Sequence, residues 1–239
     1  MLSIIIPALN EEKYLPLLLE SIKKQNFKDY EIIVADAGSK DKTVEIAKQY
    51  GCKVVPGGLP SKGRNEGAKI ARGDLLLFLD SDVILSQTNS LEQAIQNFHE
   101  KNLDAATFPF LFTGSGLDRF FSKFYNFWVA FTQKFFPHAL GAFILVKKDI
   151  HQKVNGFDES VIFCEDVHYV GKVGKIAKYG LLKIPPVSIS NRRFEHEGKI
   201  KMCMEYILAE LYMIFLGPIR SDIFKYKFAH YENKNKTKK

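Results

Sequence analysis

The sequence predicts an α/β fold in which helices flank a mostly parallel central sheet and further apolar helices follow near the C-terminal end. Short β-branched runs alternate with amphipathic helical segments through the first hundred residues, as in βα repeats. Fully apolar runs such as 75–79 are typical of parallel strands that are buried on both faces. The 239 residues are 46% hydrophobic and 26% charged, which suits one globular domain.

The first hundred residues are predicted to follow the order β-α-β-α-β-α-β. Asn10 is a plausible N-cap for the first helix, and Gly51 is a typical stop for the second. The β-branched or apolar runs predict strands at 3–7, 31–36, 53–55 and 74–80. The segments between them predict helices over 10–25, 39–51 and 63–73.

The second half combines shorter strands with unusually apolar helices. Strands are expected at 105–110 and 141–148, and a third, interrupted by two prolines, at 181–191. Helices are expected over 119–136, from Glu165 onward and over 202–217. Residues 1–200 are predicted to form the main domain, and 201–239 an apolar helix with a basic tail that extends it.

Several features indicate a cytoplasmic location. The N-terminus has no basic start and no small-residue cleavage site, and no run of eighteen uncharged apolar residues occurs. The three cysteines have no metal-type spacing, which suggests free thiols in a reducing compartment. The net charge is +7, and residues 225–239 hold six Lys and one Glu. Such a tail can contact anionic lipid or nucleic acid or remain solvated; no nucleic-acid partner is expected.

Two carboxylates follow the most apolar predicted strand. Asp80 and Asp82 should face one ligand if the segment is extended, because residues i and i+2 point the same way. A divalent cation such as Mg²⁺ or Mn²⁺ takes oxygen ligands and bridges carboxylates to phosphates. The alternative is a turn or helix N-cap. Residues 7–11 and Asp36 should reach the same edge of the sheet, where ligands bind in open α/β folds.

Four segments occur in this order along the chain: SIIIPALNEEKYL, EIIVADAGSKDKT, GRNEGAKIARGDLLLFLDSD, and GAFILVKKDIHQKVNGFDES followed by ED. With these segments the chain resembles a family 2 glycosyltransferase over about residues 2 to 195, and the resemblance implies the Rossmann-like GT-A fold. It implies metal-dependent, inverting transfer of a sugar from a nucleoside diphosphate sugar. The sequence has no Gln-x-x-Arg-Trp motif, so we expect a non-processive enzyme that adds one sugar per acceptor.

The resemblance also implies a set of donor-binding residues. Ala37 stands where family members often carry a second Asp, which weakens the inference about the contact to the base. Arg64 suits a phosphate or a base carbonyl, although it is also compatible with an ordinary surface position on a helix. The implied nucleotide-sugar-binding residues are Pro7, Ala8, Asn10, Glu11, Asp36, Arg64, Asp80 and Ser81.

The implied metal ligand is Asp82, with Asp80 beside it and His196 as a further ligand or phosphate contact. Asp166 matches the family's general base, next to Glu165. From the residues alone, this pair is equally compatible with the acidic first turn of an ordinary helix. Small and basic residues are expected on the acceptor side: Gly141, Ala142, Phe143, Arg192 and Arg193.

Two rival classes of enzyme lack support. A nucleotidyltransferase or a dehydrogenase should carry a glycine-rich phosphate loop after the first strand, and PALNEE contains no glycine. A non-catalytic protein that binds a nucleotide sugar stays open as an alternative, since such a protein would not need Asp166.

The aromatic segment has three interpretations. Residues 120–136 contain nine aromatics at helical spacing. The helix could pack on the sheet, lie at an anionic membrane surface, or form a homodimer interface. Together with the apolar helix at 202–217 and the basic tail, it supports the hypothesis of a peripheral enzyme that glycosylates a lipid-linked acceptor at the inner face of a membrane.

Overall fold

A computed structural model describes residues 1–114, 116–133, 137–139, 141–190, 192 and 198–224. The strands are β1 (Leu2–Ala8), β2 (Tyr30–Asp36), β3 (Lys53–Pro56), β4 (Leu75–Leu79), β5 (Val83–Ile84), β6 (Ala105–Thr107), β7 (Phe110–Thr113), β8 (Phe143–Lys147), β9 (Tyr179–Leu181) and β10 (Val187–Ser190). The helices are α1 (Leu15–Lys23), α2 (Thr43–Gln49), α3 (Pro60–Ile70), α4 (Ser90–Glu100), α5 (Gly116–Thr132), α6 (Lys148–Lys153), α7 (Glu165–Gly174) and α8 (Lys199–Leu216), and a 3₁₀ turn spans Asp222–Phe224.

The main sheet has seven strands in the order β3-β2-β1-β4-β8-β6-β9. The first four strands in sequence are parallel, as the βα alternation predicts. In the register of β1 and β2, Ala8 lies beside Asp36, so the segments that leave both strands emerge at the same edge. The predicted α/β class is confirmed.

The second half adds antiparallel pairing and a second sheet. Strand β8 runs antiparallel to β4 and β6, and β5, β10 and β7 form a three-stranded sheet. The single strand expected at 105–110 is wrong, because β6 and β7 belong to different sheets. Pro109 lies between them, and proline cannot supply the N–H that a continuous ladder needs.

The core lies on both faces of the main sheet. Ile4 and Ile6 face one buried cluster with α1 and α4, whereas Ile5 faces the other with α3, α6 and α7. Helix α3 lies unusually close to β1, because a Cβ on Gly63 would be 3.1 Å from the Pro7 side chain. This close approach brings α3 and its charged residue Arg64 to the edge of the sheet.

The expected N-cap at Asn10 is wrong. Helix α1 begins only at Leu15, and Asn10 has a left-handed backbone with φ +54. Its N–H donates to Ser39 Oγ at 2.8 Å, and its Oδ1 accepts from Lys40 N at 2.8 Å. Asn10 therefore ties the loop after β1 to the loop after β2 instead of starting a helix.

Helix α5 faces the protein with its polar side. Asn126 accepts from Phe110 N at 3.2 Å and donates to Phe110 O at 2.7 Å, and Ser122 Oγ accepts from Phe112 N at 3.0 Å. These side chains satisfy the free edge of β7, a strand paired on its other side with β10. The helix therefore packs on the second sheet, one of the three interpretations, with Tyr125 and Val129 turned inward while its other described aromatic side chains are exposed.

Helix α8 packs beside the start of α7. Its residue Ala209 is buried in a cluster with Phe163, Cys164 and Ile219. Among the described residues, no helix combines the length and the apolar character needed to cross a bilayer.

Candidate active site

The centre of the site is the guanidinium of Arg64, whose side chain is 2% exposed. Its Nη1 donates to Glu165 Oε1 at 2.8 Å, and its Nη2 donates to Asp80 Oδ1 at 2.8 Å and to Gly141 O at 3.3 Å. The ring of Phe157 lies under it at 5.2 Å. Arg64 is therefore not a surface residue of α3. It links Asp80, which follows β4, to Glu165, the first residue of α7.

Asp166 lies next to this centre, in the first turn of α7. Its Oδ2 accepts from Gly141 N, and its Oδ1 accepts from Val167 N at 2.8 Å. A Cβ on Gly141 would lie 2.6 Å from Arg64 Nη2. Glycine is therefore needed at this position, because any side chain would push the guanidinium away from the two carboxylates.

The environment of Asp166 suits a base. Burial, together with the negative charge of Glu165, raises the pKa of Asp166 to about 7, while the Arg64 guanidinium opposes the change. A carboxylate with a pKa near 7 has much greater affinity for a proton than an ordinary aspartate. An ordinary charged helix turn in water would not produce this shift.

Asp80 and Asp82 occupy a turn between β4 and β5, where Val83 N donates to Asp80 O at 3.3 Å. The expectation of an extended segment is wrong, because the chain bends to enter the second sheet. Even so, the two carboxylates remain within electrostatic reach. Burial, together with the negative charges of Asp80 and Glu11, raises the pKa of Asp82 to about 7, while the Arg192 guanidinium opposes the change.

Arg192 reaches across from the segment after β10 to the donor side. Its Nη1 and Nη2 donate to both oxygens of Glu11 at 2.8 and 2.7 Å, and its Nε lies 3.1 Å from Asp82 Oδ2. The Tyr14 ring lies 4.5 Å below the guanidinium. Arg192, expected on the acceptor side, therefore contacts Glu11 and Asp82, two residues that were expected to bind the donor and the metal.

The donor set fits a hard divalent cation in part. Asp80, Asp82 and Glu11 supply carboxylate oxygens, and Mg²⁺ is usually held by one or two carboxylates together with substrate phosphates. Among the described residues, no cluster of three or more His, Cys, Asp or Glu is close enough to hold a metal alone. His196, the expected further ligand, lies outside the described residues, as does Arg193.

Asp36 borders an open groove of about 460 Å³. Its Oδ2 accepts from Gly38 N and Ser39 N, both at 3.0 Å, whereas its Oδ1 is buried and has no hydrogen-bond partner among the described residues. A Cβ on Gly57 would meet Ala35 O at 2.7 Å, so only glycine allows this wall of the groove to approach.

Other expected site residues lie in buried positions. Pro7 and Ala8 are the last residues of β1, so they do not form a loop, and Ser81 is buried within the turn after β4. Ala142 and Phe143 are core residues, and the Phe143 ring lies 3.9 Å from that of Phe108. Gly141, also expected on the acceptor side, contacts Arg64 and Asp166.

The sequence model of the family described as Glycosyl transferase family 2 matches residues 3–152 of this chain. The chain belongs to glycosyl transferase family 2. One relative of this family 2 chain is the 4,4'-diaponeurosporenoate glycosyltransferase of Staphylococcus haemolyticus, which is 40% identical over 106 residues. That match covers 41% of this chain and 28% of the relative. The family 2 chain thus matches less than a third of this relative's length.

Solved structures show the same GT-A fold at low sequence identity. S. aureus TarS 1-349 in complex with UDP-GlcNAc aligns with a TM-score of 0.65 and 23% identity, covering 88% of this chain and 66% of that one. The mannosyltransferase PcManGT from Pyrobaculum calidifontis, in complex with GDP-Man and Mn²⁺, aligns with a TM-score of 0.68 and 16% identity, covering 89% and 63%.

Sequence reasoning missed three features of the site in this family 2 chain. The aromatic rings under Arg64 and Arg192, from Phe157 and Tyr14, left no signal in local spacing. The wall of the groove at 54–57 was detectable, because a pair of glycines follows the third predicted strand and glycine often marks close backbone approach.

Proposed function

We propose that the protein transfers one sugar from a nucleoside diphosphate sugar to an acceptor hydroxyl or phosphate, with inversion at the anomeric carbon. The observation that carries this proposal is the position of Asp166. It is a carboxylate with a raised pKa, joined through Gly141 and Arg64 to the donor-side residue Asp80. Asp166 is the base in this proposal, and Glu165 holds Arg64 in place.

The donor is proposed to bind with its base in the groove beside Asp36. An ionised Asp36 carboxylate accepts hydrogen bonds and cannot donate one. It therefore favours a base with a ring N–H, such as uracil or guanine. The structures of TarS with UDP-GlcNAc and of PcManGT with GDP-Man agree with both choices.

The diphosphate is proposed to lie near Asp80 and Asp82, with Mn²⁺ or Mg²⁺ held by these carboxylates. The cation would offset the negative charge that develops on the leaving diphosphate. Arg192 contacts Asp82. When the donor binds, its guanidinium would release a carboxylate partner and bind phosphate oxygens instead. PcManGT, of the same fold, is known with Mn²⁺.

In the transfer step, Asp166 takes the proton of the acceptor hydroxyl, and the acceptor oxygen forms a bond to the anomeric carbon. The bond from that carbon to the diphosphate oxygen breaks, and the nucleoside diphosphate leaves with the electron pair. Attack opposite the leaving group inverts the anomeric carbon, and general-base help of this kind contributes about 10²–10⁴ in rate.

The acceptor is proposed to be lipid-linked and to meet the enzyme at the cytoplasmic surface of a membrane. Large apolar side chains of α5 and α8 are exposed. Helix α8 packs against Cys164, two residues before Asp166. Among the described residues, Cys52 is a buried free cysteine, which suits a reducing compartment.

The test is Asp166→Asn, assayed with UDP-GlcNAc and GDP-mannose in the presence of Mn²⁺. Polyprenyl phosphate and alkyl glycosides serve as acceptor probes. We expect donor binding by calorimetry to persist and sugar transfer to fall by about 10²-fold or more. Asp149→Asn, an exposed carboxylate paired only with Lys153 among the described residues, is the matched control.

Unchanged transfer by Asp166→Asn would refute the assigned base. Donor binding without transfer by the wild-type protein would favour a non-catalytic nucleotide-sugar-binding protein.

A further inference from the structure

Helix α5 presents its aromatic side to solvent. Its buried side is formed by residues such as Ser122, Val129 and Thr132, so the usual amphipathic arrangement is inverted. The polar side is occupied by the edge of β7. We name the exposed set the aromatic face: Phe120, Phe121, Phe124, Phe127, Trp128 and Phe131.

Helix α8 shows a second exposed apolar stripe. Met202 and Ala209 are buried, with Tyr206 and Met213 packed toward the protein. The residues on the opposite side recur at helical spacing, and their exposure ranges from 47% for Leu211 to 78% for Phe215. We name this set the aliphatic face: Met204, Ile207, Leu208, Leu211, Ile214 and Phe215.

The two helices that carry these faces lie near each other and near Asp166. His138, shortly after α5, lies with Nε2 3.1 Å from Glu210 Oε1 of α8. Tyr125 of α5 is close enough to both Asp166 and Glu210 for their charges to raise its pKa, after the larger effect of burial. The exposed apolar surface therefore flanks the acceptor side of the site.

Basic charge surrounds this surface. Arg119 and Lys123 are exposed on α5, and Lys201 is exposed at the start of α8. The described chain ends at Phe224, whose ring packs on Tyr212 of α8. Fifteen further residues with six Lys and one Glu follow in the sequence. The sequence therefore continues from this segment into a basic tail.

We propose that the aromatic and aliphatic faces insert together into the interface of an anionic lipid leaflet. An anionic surface attracts the basic groups, at about 1 kcal/mol for each Lys or Arg near it. A second copy of the chain on this surface would bring Arg119 and Lys123 close to the same residues of the first copy, and like charges repel. Exposed Phe, Trp and Leu side chains suit the boundary between headgroups and acyl chains.

This inference deepens the acceptor part of the proposed function and rests on it only for what the docked enzyme does. Insertion beside Asp166 would let a lipid-linked acceptor keep its chain in the bilayer while its hydroxyl or phosphate reaches the base. Binding to lipid needs no donor and no transfer, so the two proposals fail separately.

The experiment measures co-sedimentation of the full chain with vesicles of phosphatidylcholine, alone or mixed with phosphatidylglycerol. We expect binding to the mixed vesicles that weakens as salt rises. The double variants Phe127→Ser/Phe131→Ser and Leu208→Ser/Leu211→Ser should each lower the partition coefficient about tenfold or more. Truncation before Lys225 should weaken binding and reduce its salt dependence.

The matched control is Leu17→Ser/Ile176→Ser, which removes two equally exposed apolar side chains from other surfaces. It should bind vesicles like the wild type. Circular dichroism checks that each variant is folded. Absence of vesicle binding by the wild type would overturn the proposal. So would face variants that bind vesicles normally but turn a dimer into a monomer in analytical ultracentrifugation, since that result assigns the surface to a second copy.

Discussion

At the scale of single residues, the acid–base behaviour of Asp166 leads to a pH prediction. Because burial and Glu165 raise its pKa to about 7, the base is protonated and inactive below that value. We expect kcat/KM for transfer to fall about tenfold per pH unit below about 7 and to level off above it. A pH profile of initial rates measures this.

Asp82 is the control, because its pKa is also raised to about 7. Asp82→Asn should weaken donor and Mn²⁺ binding but keep the acidic limb of kcat at saturating concentrations. Loss of that limb in Asp82→Asn would assign the titration to Asp82 instead of Asp166.

Arg192 supports a second prediction at this scale. It is the partner of both Glu11 and Asp82, and the Glu11 side chain is only 9% exposed. Arg192→Ala leaves two carboxylates uncompensated, so we expect a loss of stability of about 3 kcal/mol. Mn²⁺ should raise the melting temperature more in the variant than in the wild type, since a cation replaces the lost charge.

Thermal melts with and without Mn²⁺ measure this difference. Arg220→Ala is the control, because its ion pair with Asp158 lies on a different carboxylate and its side chain is 55% exposed. Equal shifts for wild type and Arg192→Ala would contradict a cation site at Asp82.

At the scale of elements, the contact between α5 and β7 depends on polar side chains. Asn126 makes two hydrogen bonds to the backbone of Phe110. Asn126→Ala leaves both backbone groups without these partners, so we expect a loss of about 1–3 kcal/mol in the free energy of unfolding. Urea denaturation measures the change. Lys123→Ala, an exposed change on the same helix, should stay within about 0.5 kcal/mol.

The element scale also shows where sequence reasoning succeeds. Strands β1 to β4 and the helices between them follow from local pattern, because they form successive parallel βα units in which β2 pairs with β1 and β3, and β4 pairs with β1. Periodicity also gives the aromatic side of α5. It does not say which side meets the protein, because that depends on the unpaired edge of β7, a feature of the tertiary structure.

At the scale of the whole molecule, the part of the site that sequence could not predict depends on long-range contacts. Glu11 and Arg192 are 181 residues apart, and Arg64 and Glu165 are 101 apart. The resemblance to the family supplied Asp36, Arg64, Asp82 and Asp166 as candidates, and their roles stay predictions. No local pattern could indicate that Arg192 neutralises both Glu11 and Asp82.

The position of Arg64 also has a thermodynamic consequence. Its guanidinium shares hydrogen bonds between Asp80, a proposed donor-binding residue, and Glu165, the neighbour of the proposed base. A ligand that draws Asp80 away from Arg64 leaves more of the positive charge to Glu165 and changes the field at Asp166. In the proposed reaction, donor and acceptor affinities are then linked, and this coupling free energy must be the same whichever substrate binds first. One buried side chain would thus make cooperativity between the two substrates a property of the fold.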